Sequence, residues 1–88
     1  MTDKRLRTFC AVADRLSFSK AAELLGVSQS AVTQSVASLE KEIGAALFLR
    51  VSNNVMLTDK GAELLETARK ILALYRSIDD LKDWEVTP

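Results

Sequence analysis

The sequence predicts a mostly α-helical fold with three short helices, one small β-hairpin and one long C-terminal helix. Apolar residues recur at helical spacing between residues 3 and 43, interrupted at Gly26. Two short extended runs then flank a polar turn, Ser52-Asn53-Asn54. The only proline is Pro88, so the segment after the hairpin can form one unbroken helix.

The first predicted helix is capped by Thr2 and Asp3 and ends near Ser17. Its apolar positions recur at helical spacing: Leu6, Phe9, Cys10, Ala13 and Leu16. Cys10 is the only cysteine and the chain has no histidine, so we interpret it as a small buried apolar residue and not a reactive thiol. A single cysteine excludes an intrachain disulfide, and a reducing cytoplasm is the expected location.

Residues 17–36, SFSKAAELLGVSQSAVTQSV, contain two helical patterns joined at Gly26. Ser19 is predicted to cap the first of them, and Gly26 suits the left-handed turn that ends it. Ser28 is predicted to cap the second. Its apolar stripe is Val32, Val36, Leu39 and Ile43, and Gly44 ends it. Small polar side chains are left on another face: Gln29, Ser30, Thr33 and Gln34.

The hairpin is predicted around Asn53 and Asn54, because asparagine tolerates the positive backbone dihedral that a tight turn can require. Turn formation and contact with DNA at the tip both remain open for these two residues. The three helices, the hairpin and the helix after them together indicate a winged helix-turn-helix.

Thr58 is predicted to cap the long helix, which over about 25 residues would reach about 38 Å. Its apolar stripe is Leu64, Leu65, Ala68, Ile71, Leu72, Tyr75 and Ile78, and Leu74 and Leu81 widen it. The stripe could fold back on its own core. We favour a partner helix in a homodimer, because the stripe extends well beyond a small globular part. Residues 1–58 would then form the winged domain and residues 59–88 the dimerisation helix.

Composition sets further limits. Eighty-eight residues fit one domain, whose core supplies only about 3–5 kcal/mol, so oligomerisation is expected. Residues 1–58 carry seven basic and five acidic side chains (+2), and residues 59–88 carry five and seven (−2). No apolar run approaches the roughly 20 residues of a membrane span, so no membrane partner is expected.

The segments RTFCAVADRLSFSKAAELLGVSQSAVTQSVASLEKEIGAALFLR and VMLTDKG resemble the N-terminal domain of LysR-type transcriptional regulators. The resemblance extends from about Leu6 to the end of the long helix and includes several separate motifs in order. It implies a bacterial regulator that binds a pseudo-palindromic DNA site as a homodimer. It also implies a C-terminal domain for a small-molecule effector, which these 88 residues do not include, and assembly as a tetramer.

The resemblance implies roles for two sets of residues. Those expected to reach base edges are Gln29, Ser30, Thr33 and Gln34, because the start of the second helix of such a motif enters the major groove. Those expected to contact phosphates are Ser19, Lys20, Ser28, Lys41 and Arg50. Exposed polar and charged side chains are usually only solvated, which is the alternative for each residue.

Two other functions compete with DNA binding. A winged domain that binds proteins, with little or no affinity for DNA, is the main alternative, since the chain has no net charge. Catalysis has little support because the chain has no histidine and no glycine-rich phosphate loop, and Glu40 and Glu42 are interpreted as helix-surface residues. No metal and no cofactor are expected.

The surface expected to contact DNA should carry few charges. Family members often have proline where Ser30 stands, arginine where Gln34 stands, and arginines at the hairpin tip where Asn53 and Asn54 stand. If each protomer neutralises about 2–4 phosphates, a plot of log binding constant against log salt for the dimer should have a slope of about −4 to −7. Titrations of one duplex across a salt series would measure it, and a steeper slope would contradict the expectation.

Overall fold

The computed structural model describes residues 3–52 and 54–83. Four helices and one hairpin follow each other in the predicted order, which confirms the predicted fold class. The elements are α1 (Asp3–Arg15), α2 (Phe18–Leu25), α3 (Gln29–Ile43), β1 (Phe48–Val51), β2 (Asn54–Leu57) and α4 (Asp59–Asp83).

The core lies where α1 crosses α2, α3 and the first half of α4. Its most deeply buried side chains come from α1, α2, α3, α4 and the segment before β1: Phe9, Val12, Ala21, Val32, Leu39, Leu47 and Ala68. Cys10 is also buried, as predicted, and burial raises the pKa of its thiol. Burial of these apolar side chains is the main favourable contribution to folding.

The predicted ends of the helices are largely confirmed. Gly26 and Gly44 adopt left-handed backbone conformations after α2 and α3, with φ of 69° and 82°. Ser28 Oγ accepts a hydrogen bond from the amide of Ala31 at 3.1 Å, and Thr58 Oγ1 accepts one from the amide of Gly61 at 2.9 Å. These side chains satisfy amides that a helix leaves unpaired at its start.

Two expectations at the α1–α2 junction are wrong. The cap of α2 is Ser17, whose Oγ accepts from the amide of Lys20 at 3.1 Å, whereas Ser19 lies inside the first turn. Phe18 begins the helix because its ring packs into the core, and the cap must precede it. Leu16 leaves the apolar stripe of α1: it adopts φ of 48° after the helix ends and is half exposed.

The hairpin pairs its two strands antiparallel, with Phe48 opposite Leu57 and Val51 opposite Asn54. Asn54 is therefore the first residue of β2 and not a turn residue, which corrects the prediction. A positive φ, 57°, occurs at Ser52. Asn53 lies outside the described residues.

The apolar stripe of α4 divides into two parts. Leu64, Leu65, Ile71 and Leu72 pack partly buried against the core. Ala68 is completely buried inside its own protomer, so its side chain has no surface left for a dimer contact, contrary to expectation. The outer half of the helix is different: Leu74, Tyr75, Ile78 and Leu81 are all exposed, Leu74 by 67%.

A junction of backbone contacts holds the hairpin against α4. The amide of Thr58 donates to the carbonyl oxygen of Leu47 at 3.0 Å, and Thr58 Oγ1 donates to the carbonyl oxygen of Ala46 at 2.7 Å. Gly61, in the first turn of α4, lies so close that an added Cβ would overlap the carbonyl oxygen of Leu47 and approach Leu57 Cδ1 to 2.7 Å. Only glycine, which has no Cβ, fits at this position.

We predict that Gly61→Ala destabilises the domain by about 1–3 kcal/mol, because the overlapped atom is backbone and cannot rotate away. Urea unfolding followed by circular dichroism would measure the change. Lys60→Ala, at the exposed neighbouring position, is the control and should shift stability by about 0.5 kcal/mol or less. Helix propensity alone would make Gly61→Ala stabilising by about 1 kcal/mol, and that sign would refute the close contact.

Candidate nucleic-acid interface

The start of α3 presents the four residues predicted to face DNA bases. Gln29, Ser30, Thr33 and Gln34 together line one shallow concavity. Thr33 is half-buried and the other three are exposed. They share this face because Val32, Val36 and Leu39 turn the opposite side of the helix into the core.

A second groove adjoins the first and lies between the starts of α2 and α3 and the hairpin. Its lining residues are Leu16, Ser17, Phe18, Ser19, Gln29, Arg50, Ser52, Asn54 and Val55. Two residues predicted to contact phosphates, Ser19 and Arg50, thus lie along one groove with Asn54, which was predicted for the hairpin tip. Gln29 belongs to both concavities and joins them into one polar surface.

Other predicted residues lie apart from this groove. Lys20 lines a different depression, with Arg15, Glu23 and Leu24. Lys41 is in the last turn of α3, and the 12-residue separation from Gln29 corresponds to about 18 Å along the helix axis. Ser28 lies at the start of α3, where its hydroxyl oxygen already accepts the capping hydrogen bond. The structure thus gathers Ser19 and Arg50 near Gln29 but not Lys20 or Lys41.

Five lining residues of the groove were not predicted: Leu16, Ser17, Phe18, Ser52 and Val55. Side chains alternate along a strand, so the sequence alone places Phe48 and Arg50 on the same face of β1. It does not indicate which residues of other elements pack against that face. The ring of Phe18 lies under the Arg50 guanidinium, whose Cζ is 4.0 Å from the ring centroid. Nothing local in the sequence reports this contact, which joins residues from α2 and β1.

The position of the hairpin relative to α3 depends on Glu40. Glu40 Oε2 accepts hydrogen bonds from the amides of Leu47 and Phe48, at 2.7 and 3.3 Å. The interpretation of Glu40 as a simple surface residue is therefore wrong. Its carboxylate joins the C-terminal part of α3 to the start of β1.

Several charged side chains elsewhere on the domain form ion pairs. Arg5 donates to Glu42 Oε1 at 2.7 Å and to Ser38 Oγ at 2.9 Å, and the hydrogen bond to Glu42 lowers the pKa of that carboxyl. Arg69 donates to Asp14 Oδ1 at 2.7 Å and connects α4 to α1. An exposed ion pair such as Arg69–Asp14 contributes little stability, but its carboxylate partly neutralises the charge of the arginine. Among the described residues that line the two concavities, Arg50 is the only charged side chain.

Within the described residues, no group of three or more His, Cys, Asp or Glu side chains could hold a metal ion. In the same part of the chain, none of the helices is both long and apolar enough to cross a membrane.

Three helices around one core, with a polar-faced α3 beside an antiparallel hairpin, define a winged helix-turn-helix domain. The sequence model described as "Bacterial regulatory helix-turn-helix protein, lysR family" matches residues 4–62. The chain belongs to the LysR family, and it contains that family's helix-turn-helix domain.

Similar proteins include two curated transcriptional regulators. The chain is 40% identical over 88 residues to the probable RuBisCO transcriptional regulator of Thalassiosira pseudonana, covering 96% of this chain and 29% of that protein. It is 46% identical over 69 residues to the HTH-type transcriptional regulator BudR of Klebsiella aerogenes, covering 78% of this chain and 48% of that protein. The chain thus spans less than half the length of either relative.

A solved structure has nearly the same fold over nearly the whole chain. It is the crystal structure of the BenM DBD/catB site 1 DNA complex, with a TM-score of 0.89 and 31% identity. The match covers 94% of this chain and 93% of that one. The similarity therefore includes the hairpin and α4 as well as the three core helices.

We predict that Glu40→Ala costs about 1–3 kcal/mol of stability, because it removes the acceptor of two hydrogen-bonded amides. Glu40→Gln keeps an oxygen acceptor and should cost less. Urea unfolding would measure both, and amide hydrogen exchange at Leu47 and Phe48 should quicken selectively in the alanine variant. The control is Glu63→Ala, which removes an exposed ion pair with Lys60. Equal stability of Glu40→Ala and Glu63→Ala would contradict the role of Glu40.

Proposed function

We propose that this chain is the sequence-specific DNA-binding domain of a transcription regulator and that it binds a pseudo-palindromic site as a homodimer. The observation that carries the proposal is the polar face at the start of α3, where Gln29, Ser30, Thr33 and Gln34 line one concavity. Helix-turn-helix proteins place this part of their second helix in the major groove.

The residue types of this face suit base edges. Gln29 and Gln34 can each make two hydrogen bonds to an adenine, and the Thr33 methyl group can contact the methyl group of thymine. Ser30 can donate to or accept from a base. This set carries no charge, so base contacts would depend on neutral hydrogen bonds and apolar contact.

Phosphate contacts would come from the second groove and from nearby helix starts. Ser19 and Arg50 line that groove, and Ser28 lies at the start of α3, where the helix dipole favours an anion. Lys20 and Lys41 would add charge at the periphery. Contact of Asn53 and Asn54 with DNA stays a prediction, and Asn54, as the first residue of β2, would make it from the lining of the second groove.

Proteins similar to this chain support the same function. The BenM domain of closely similar fold was solved as a DNA complex, and the two curated relatives are transcriptional regulators. We extend DNA binding to this chain and infer a regulatory, non-enzymatic role in the cytoplasm. A tetramer and an effector-binding domain stay expectations for the complete regulator.

The homodimer would form through the outer half of α4. Ile71, Leu74, Tyr75 and Ile78 line an almost entirely apolar concavity there. An exposed apolar helix face is stabilised by a second helix that removes it from water. Leu64, Leu65 and Leu72, which like Ile71 are only partly buried in the core, would lie at the edge of the contact.

The test is selection of bound duplexes from a random pool, followed by titration of the selected duplex. We expect an inverted repeat to be enriched, since a symmetric dimer reads two equivalent half-sites. Gln29→Ala should weaken binding by about 1–3 kcal/mol for each half-site and relax selectivity at one position of each.

A matched pair of threonine variants controls for general effects of substitution. Thr33→Ser removes the methyl group from the polar face, whereas Thr67→Ser makes the same change on the exposed surface of α4. Only the first should alter selectivity for thymine. If the wild-type domain enriched no motif and shifted no duplex at high micromolar concentration, the protein-interaction alternative would be favoured instead.

A further inference from the structure

The guanidinium of Arg50 rests on the face of an aromatic ring at the base of the second groove. Its Cζ lies 4.0 Å from the centroid of Phe18, within the distance of a cation–π contact. Phe18 and Arg50 are 32 positions apart in the chain. The contact forms because α2 and β1 converge at the groove.

The Phe18 ring is itself held in place. It is only 7% exposed and meets the ring of Phe48 edge-on, with centroids 5.8 Å apart and planes inclined by 72°. The ring of Phe48 in turn packs on the ring of Phe9, with centroids 5.4 Å apart, and Phe9 is completely buried in α1. The ring under Arg50 is thus the outermost of three rings that continue into the core.

The strand supplies the other half of the arrangement. Phe48 and Arg50 are two positions apart in β1, so their side chains leave the same face of the hairpin. Phe48 therefore anchors β1 against Phe18, and Arg50 follows over the same ring. A shift of the strand by one residue would move Arg50 to the opposite face.

We infer that Phe18 is a positioning residue for DNA binding, which acts by fixing the Arg50 guanidinium to receive a phosphate. This inference rests on the proposed function. A cation–π contact uses the charge of the guanidinium and no carboxylate acceptor, so its N–H donors remain able to bind a phosphate. Ser19 and Gln29 line the same groove and define where that phosphate would sit.

The physical gain is preorganisation. A free arginine side chain samples many rotamers, and a phosphate contact must restrict them. Stacking on Phe18 restricts part of that motion before DNA arrives. On a surface with few cations, one ordered guanidinium supplies a larger share of the charged contacts to phosphates.

A double-mutant cycle on the DNA affinity of the dimer tests the inference. Phe18→Leu keeps an apolar side chain but removes the ring face. It should weaken binding by about two- to fivefold for each protomer, or about five- to thirtyfold for the dimer, as expected from the strength of an exposed cation–π contact. In the Arg50→Ala background, the same substitution should leave affinity unchanged. Arg50→Ala itself should reduce the magnitude of the salt slope by about 0.9 for each phosphate that it leaves without its arginine, or about 1.8 for the dimer.

Phe9→Leu controls for loosening of the core. Phe9 contacts Phe48 but is not the ring under Arg50, so its effect on affinity should be additive with Arg50→Ala. Additivity of Phe18→Leu with Arg50→Ala would overturn the inference. A wild-type domain that binds no duplex would instead refute the proposed function, and the inference with it.

A second measurement needs neither a variant nor DNA. Ring currents should move the Arg50 δ-proton resonances of the wild-type domain upfield of those of Arg15, which has no ring contact among those found in the described residues. Ordinary arginine shifts at Arg50 would overturn the inference even if Phe18→Leu failed to fold.

Discussion

The architecture depends on how the backbone of Leu47 is held. Its amide donates to the Glu40 carboxylate, its carbonyl oxygen accepts from the amide of Thr58, and Gly61 packs against that carbonyl. Its side chain is completely buried as well. One residue thus joins the C-terminal part of α3, the base of the hairpin and the first turn of α4. Because these contacts involve the backbone just before β1, they set the position of the hairpin relative to α3 and α4.

The candidate interface carries few charges, and two arginines elsewhere on the domain are paired with carboxylates. Arg5 and Arg69 have carboxylate partners on neighbouring helices, where they connect α1 to α3 and to α4. Cations used in this way contribute less to the field that attracts a polyanion. Among the described residues that line the two concavities, Arg50 is the only charged one, and it lies over an aromatic ring among neutral side chains, most of them polar. Such a surface would derive a larger share of its affinity from direct contacts than from counterion release.

The fold was predictable from the sequence because its signals are local. Gly26 and Gly44 end helices through their own backbone preferences, and Ser28 and Thr58 cap helices within three residues of themselves. Several of the errors occur where a distant contact decides. Ser17 caps α2 instead of Ser19 because the Phe18 ring must reach the core. Glu40 accepts from the amide of Leu47, 7 positions away, and Phe18 and Arg50 are 32 positions apart. Periodicity cannot reveal either contact. The face of α3 was predicted because helical spacing alone separates it from the core.

The two halves of α4 have different surroundings, and this difference connects the groove to the proposed dimer. The first half belongs to the protomer core through Ala68 and is tied to the hairpin by Thr58 and to α1 by the Asp14–Arg69 pair. The outer half is exposed and apolar. In a symmetric dimer joined through that outer half, the first half, packed on the core, would set how each α3 is oriented relative to its partner. The separation of the two polar faces would then follow from the helix itself, and a site with the wrong half-site spacing would be rejected even if every base contact were available.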